Sequence, residues 1–194
     1  MSAALPPAPT DRRRSPLGGV ALPDGLREVP FLTQIDLRLD PRDALATTAV
    51  ESVVGSLPLE PNTVHGGPDD AILWLGPDEW LIVGPDGRAA SLESELRDAL
   101  GPTGATTVAL IDVSANRTTL QLARDDAAEI LASGCSIDLH RRAFGPGRCA
   151  QTLVARAGVI LWQTAATPVA TYRLLVRPSF AAYLAAWLSD AIDR

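Results

Sequence analysis

Residues 79–83 read EWLIV and residues 172–176 read YRLLV. Each run is strand-like, each follows a tryptophan-bearing apolar stretch, and each precedes a serine that opens a helical pattern. Their offset of about ninety residues is the spacing of a repeated unit rather than of neighbouring strands. The repeat predicts an α+β fold of two related β-α-β-β-α halves packed together, over residues 26–104 and 105–194. A chance echo of two ordinary hairpins is the alternative reading.

Around EWLIV the first half is well marked. PFLTQIDLRLD places Phe31, Thr33, Ile35, Leu37 and Leu39 on one side of a half-buried strand. Asp40 is the expected N-cap of the next helix, with Pro41 at its first position and Gly55 at its end. Ala71–Leu75 and Trp80–Val83, separated by GPDE, read as a hairpin, and Ser91 is expected to cap SLESELRDALG. Around YRLLV, residues 108–113 and 118–122 read as strands, and Asp125 or Asp126 caps a helix ending at Gly134. A hairpin follows, Cys149–Val154 with Val159–Trp162, turning at Arg156, Ala157 and Gly158. Ser179 then opens a helix whose Phe180, Tyr183, Leu184, Trp187 and Leu188 share one face.

Residues 1–25 are rich in Pro, Ala, Arg and Gly without periodicity, and form a flexible arm or a strap laid over something else. Arg12, Arg13 and Arg14 suit an acidic partner surface, or are simply a solvated charge run. Elsewhere, 46% hydrophobic and 21% charged residues indicate a folded chain. A net charge of −6 argues against nucleic acid, whose binding draws on a basic surface. All seventeen basic residues are arginine, which removes lysine-based Schiff-base and P-loop chemistry. No signal-peptide core and no run of roughly 20 apolar residues is visible, so a cytoplasmic chain without membrane contact is expected.

Residues with chemical potential are few. His65 and His140 are the only histidines, and neither sits in a metal or nucleophile-base motif. Cys135 and Cys149 have no metal-ligand spacing and read as buried thiols. Asp112, at a strand end, is the one carboxylate placed for acid-base work, although an Asp there more often ties down the following turn. Arg141, Arg142 and Arg148 of DLHRRAFGPGR can converge on a carboxylate or phosphate, or pair with acids on a loop rim. Trp74, Trp80, Trp162 and Trp187 read individually as core more than interface. No catalytic, cofactor-binding or metal-binding residue is assigned.

Three stretches, WLGPDEWLIV, DVS-x-x-R-T-x-L-x-L and C-x-x-D-L-H-x-x-x-F-x-P-G-x-C-A-Q-T, resemble the folate-binding aminomethyltransferase superfamily and, within it, the gamma subunits of heterotetrameric sarcosine oxidases. The resemblance runs from about residue 29 to about residue 190. It implies the aminomethyltransferase folate-domain fold and a subunit that works with alpha, beta and delta partners. It also implies a complex that converts sarcosine, tetrahydrofolate and oxygen to glycine, 5,10-methylenetetrahydrofolate and hydrogen peroxide. FAD, FMN, NAD, zinc and tetrahydrofolate would then be held by the partner subunits and none by this chain. One departure bears on catalysis. Where the aminomethyltransferases place G-x-I-x-D or G-x-I-D-D, with an acid beside the folate, this chain has Leu161 and Trp162. Neither side chain accepts a proton, so the resemblance implies a non-catalytic structural subunit. The rival is a free-standing folate-binding or one-carbon-transfer protein using Asp112 and the 141–148 arginines.

Overall fold

Two five-stranded antiparallel sheets stack face to face, and a computed structural model describes them over residues 13–194. In chain order the elements are β1 (Leu26–Glu28), β2 (Thr33–Arg38), α1 (Ala44–Val54), β3 (Val64–Gly66), β4 (Ala71–Gly76), β5 (Glu79–Gly84) and α2 (Ala89–Leu100). There follow β6 (Ala109–Asp112), β7 (Thr118–Ala123), α3 (Ala127–Ala132), β8 (Cys149–Val154), β9 (Ala157–Ala165), β10 (Thr171–Val176) and α4 (Pro178–Ile192). The first sheet has the order β3-β4-β5-β2-β6 and the second β8-β9-β10-β7-β1. These orders superimpose strand for strand, so the α+β duplication is real.

The halves are joined by exchange. β1 pairs with β7 of the second sheet, and β6 pairs with β2 of the first. Each unit is therefore β-β-α-β-β-β-α, with its leading strand given to the other sheet. The break in the repeat near residue 104 is not a break between sheets.

Alternation in the strands sets up four layers. Ile35, Leu37, Ile72, Trp80 and Ile82 point outward to meet Val50 of α1 and Leu92 and Leu96 of α2. Leu120, Leu122, Leu161, Tyr172 and Leu174 point outward from the other sheet to meet Ile130 of α3 and Leu184 and Leu188 of α4. Between the sheets lie Leu73, Leu81 and Val83 against Cys149, Ile160, Trp162 and Leu175. Sheets buried on both faces explain why their strands read as nearly continuous apolar runs.

The register also corrects the echo that revealed the repeat. EWLIV and YRLLV match as strings, but that match aligns outward Trp80 with inward Arg173. The strands superimpose as EWLIVG on TYRLLV, with Trp80 on Tyr172 and Leu81 on Arg173. A slip of one residue would turn every side chain to the wrong face, so packing decides the alignment.

Several boundaries move for local reasons. Asp43, not Asp40, caps α1, its Oδ1 accepting from the Ala46 N–H at 3.0 Å, while Asp40 instead takes the Arg42 guanidinium. α2 opens at Ala89, before Ser91, because the Arg88 N–H donates to Thr33 Oγ1 and roots the helix on β2. α4 opens at Pro178, where the missing N–H has no cost, rather than at Ser179. α3 ends at Ala132, and the carboxylate of Asp126 at its N-cap is taken up by Arg124 at 2.8 Å. The β8–β9 turn is Ala155–Arg156, closed by Val154 opposite Ala157, which leaves Ala157 and Gly158 inside the strand.

Residues 13–25 are a strap. Leu17 is 4% exposed in the core beneath the second sheet, and Ser15 Oγ bonds the Glu28 carboxylate. Arg12 lies outside the described residues. No described helix is long and apolar enough to cross a membrane.

Candidate functional site

Leu161 and Trp162, where an acid was sought, are both interior. Leu161 faces α3 and α4, and Trp162 is 2% exposed between the sheets. Opposite Trp162 on β10 stands Arg173, a buried charge that composition and motif reading passed over. Its guanidinium lies 5.5 Å from the indole centroid, and its Nη1 donates to the Pro68 carbonyl of the first half. Gln121 Oε1 accepts from Arg173 Nε at 3.5 Å and from Arg27 Nη2 at 3.1 Å. Burial first, and Arg27 second, pull the Arg173 pKa below the usual guanidinium value. A lone cation in an apolar strand, facing tryptophan on its neighbour, was the available signal. Arg173 rivets the halves together and is itself buried, its guanidinium taken up by the Pro68 carbonyl and Gln121.

An open cleft lies elsewhere, its largely apolar walls carrying a few charged side chains. A cleft of about 710 Å³ lies where the strap, the start of β2, the β5–α2 turn, the β6–β7 turn and the start of α4 converge. Volumes of this order hold small ligands or a few side chains of a partner. One wall is a stack: Asp86 accepts from Arg13 at 2.6 and 3.0 Å, and the Arg13 guanidinium lies 4.7 Å above the Phe31 ring. Phe31 adopts φ 62°, a left-handed conformation that a bulky side chain rarely takes and that often marks functional surfaces.

Asp112 lines this cleft but is occupied as a turn former. Its Oδ1 accepts from the Ser114 N–H at 2.9 Å and the Ser114 hydroxyl at 2.5 Å. Ser114 Oγ in turn accepts from the Gln34 N–H at 2.9 Å, and Gln34 Nε2 donates to the Arg117 carbonyl at 3.0 Å. The DVS stretch thus clips the β6–β7 turn onto β2. Arg117 projects from that turn, half-buried. Burial and then neighbouring Arg177 lower its pKa, and Asp36 and Glu79 offset part of the effect. Glu79 is held above the usual carboxylate range by burial and by Asp36, although Arg38 donates to it at 2.5 Å.

The other candidates are scattered. Arg148 pairs with Glu60 at 3.0 Å, on the loop before β3, while Arg141 and Arg142 are exposed. None of the 141–148 residues lines the cleft with Asp112, so the constellation proposed for a folate-type site is not assembled. His65 Nδ1 meets the Ser56 carbonyl at 2.7 Å, and His140 Nδ1 accepts from the Arg142 N–H. Cys135 and Cys149 are buried free thiols, and burial pushes the Cys149 pKa up to about 12. A thiol so poorly ionised is no nucleophile at neutral pH. Among the described residues no three His, Cys, Asp or Glu side chains gather to hold a metal ion. Trp80 is buried with its Nε1 donating to the Pro58 carbonyl at 2.8 Å, and Trp74 and Trp187 are half-buried against the two helix-side cores.

Comparison with known proteins yields consistent matches. The Sarcosine oxidase, gamma subunit family matches residues 38–194. The sarcosine oxidase subunit gamma of Corynebacterium sp. (strain U-96) is 40% identical over 170 residues, 87% of this chain and 78% of that protein. A chain of the heterotetrameric sarcosine oxidase from Corynebacterium sp. U-96, solved in complex with pyrrole 2-carboxylate, superimposes with a TM-score of 0.82 at 36% identity. That match covers 93% of this chain and 95% of the other. The glycine cleavage system aminomethyltransferase T from Bartonella henselae shares the fold, with a TM-score of 0.63 at 16% identity over 84% of this chain and 45% of its own.

Proposed function

The chain belongs to the sarcosine oxidase gamma subunit family, and on that premise we propose that it is a non-catalytic, structural subunit of a heterotetrameric, folate-linked sarcosine oxidase. The complex would convert sarcosine, tetrahydrofolate and oxygen to glycine, 5,10-methylenetetrahydrofolate and hydrogen peroxide. Alpha, beta and delta subunits would carry FAD, FMN, NAD, zinc and tetrahydrofolate. The observation that carries the non-catalytic reading is the interior position of Leu161 and Trp162. A general acid or base must reach the proton it moves, and here an aliphatic group and an indole are sealed inside two cores. The one carboxylate with a claim to such work, Asp112, is engaged by Ser114.

Coexpression with the larger subunits tests the assignment. The chain should copurify with them, and its omission should leave them unassembled or aggregated while their cofactor content per assembled complex is unchanged. Titration of the purified chain with a reduced folate should show no saturable binding. Tight binding that disappears in Asp112→Ala would overturn the structural reading in favour of a free-standing folate-binding protein.

A further inference from the structure

The arginines of this chain divide by what holds them. Arg13, Arg38, Arg42, Arg88, Arg97, Arg124, Arg148 and Arg194 meet a carboxylate, and Arg27 and Arg173 share Gln121. Arg14, Arg117, Arg141, Arg142, Arg156 and Arg177 make no side-chain hydrogen bond or ion pair with another described residue, and of these only Arg117 is withdrawn from solvent. It lines the cleft, as does Arg14, and Arg177 lies close enough to repel it. Arg117 is a half-buried guanidinium with no hydrogen-bonding anion, and the attraction of Asp36 and Glu79 only partly offsets its burial and the repulsion of Arg177. The surrounding walls are Pro16, Pro30, Phe31, Ala115 and Pro178, flat surfaces suited to an apolar flank. The lining sets Arg13, Arg14 and Arg117 against Asp86 and Asp112, a small positive excess in a chain of net charge −6.

We propose that this cleft is the seat for an acidic segment of one of the larger sarcosine oxidase subunits, its carboxylate meeting Arg117 and its apolar flank lying on Phe31 and Pro178. The inference rests on the subunit reading above. Charge complementarity carries it: a half-buried guanidinium fork is matched by a carboxylate, and Arg set among apolar walls is a common anchor of protein interfaces. The Arg13–Asp86 pair would hold the Phe31 wall in place and leave Arg14 and Arg117 for the partner, with Arg177 beside Arg117 at the margin.

The test measures affinity of the purified chain for the coexpressed remainder of the complex across a salt series. Arg117→Ala should weaken binding tenfold or more, and the exposed changes Arg14→Glu and Arg177→Glu should each weaken it severalfold and flatten the salt dependence. Arg156→Glu, the same charge change on the β8–β9 turn, serves as the control and should leave affinity within twofold. Thermal melting of each free variant separates loss of binding from loss of folding, and the two surface variants remain informative if Arg117→Ala unfolds. A photocrosslinker replacing Ala115 should join the chain to a peptide containing Asp or Glu. If the unmodified chain does not assemble at all, the subunit reading itself fails. If it assembles and Arg14→Glu and Arg177→Glu bind like Arg156→Glu, only the cleft inference is overturned. Unchanged assembly together with benzoate-induced NMR shifts at Phe31 and Arg117 would overturn it in favour of a small carboxylate.

Discussion

Leu73 faces Leu81 across β4 and β5, while at the superimposed position Trp162 faces Arg173 across β9 and β10. All four side chains point between the sheets or into their margin, and all four are buried. The duplicated frame therefore accepts two chemistries at one site. The aliphatic pair needs only its neighbours. The charged pair needs an indole face, the Gln121 amide and a carbonyl from the opposite half, because an uncompensated guanidinium would cost far more than its packing returns. At this position one sheet is held by shape alone, and the other by shape plus a polar rivet across the halves.

Placing the cation on the wrong sheet is the harshest way to break this comparison. Leu81→Arg should abolish cooperative urea unfolding or cost more than about 4 kcal/mol, since Leu73 offers neither a π face nor an acceptor. A milder loss would mean that the rivet partners are dispensable. Next in size is Cys149, which pairs with Trp162 in the same layer. Its folded pKa is raised from 9.0 to about 12, so it contributes stability that is complete below pH 9 and lost as pH rises toward 12. Thermal melts should show that decline, Cys149→Ala should lessen it and leave the part due to Tyr172, whose hydroxyl burial also holds above its ordinary pKa, and native Cys149 should resist alkylation at pH 8.

A subtler measurement sharpens the account of the rivet. In a double-mutant cycle with Trp162→Leu and Arg173→Leu, which converts the second pair into the first, the coupling should be roughly 1–2 kcal/mol. Additive losses would reduce the arrangement to two independent packing sites. The smallest expected effect concerns the equivalent hairpins. β3–β4 uses Gly66 at φ 93°, whereas β8–β9 holds Ala155 at φ 52°. Ala155→Gly should relieve that conformation and raise stability by up to about 1 kcal/mol, read from the urea midpoint.

Much of this was legible in the chain. Alternation in QIDLR and the apolar runs of ILWL and LIV announced strands that the structure contains, and the spacing of Phe180, Tyr183, Leu184 and Leu188 announced α4. Caps were harder, because DPRD offers two aspartates and only one reaches the Ala46 N–H. The site was less legible still. Arg117 and Arg14 are over a hundred residues apart in sequence, and Phe31 carries no mark of its backbone conformation.

By itself the sequence determined what depends on neighbours along the chain: eight of the ten strands, as period-two or apolar runs, four helices, and a repeat strong enough to find by eye, while the three-residue β1 and β3 carry no such run. Only the tertiary structure decided which residue of one repeat stands on which residue of the other, that β1 and β6 change sheets, and that Arg14 and Arg117 meet at one cleft. Periodicity is a local property, repeated every turn or pleat. Face, partner and charge balance are settled by the free energy of burying distant surfaces together, which no single stretch of chain contains.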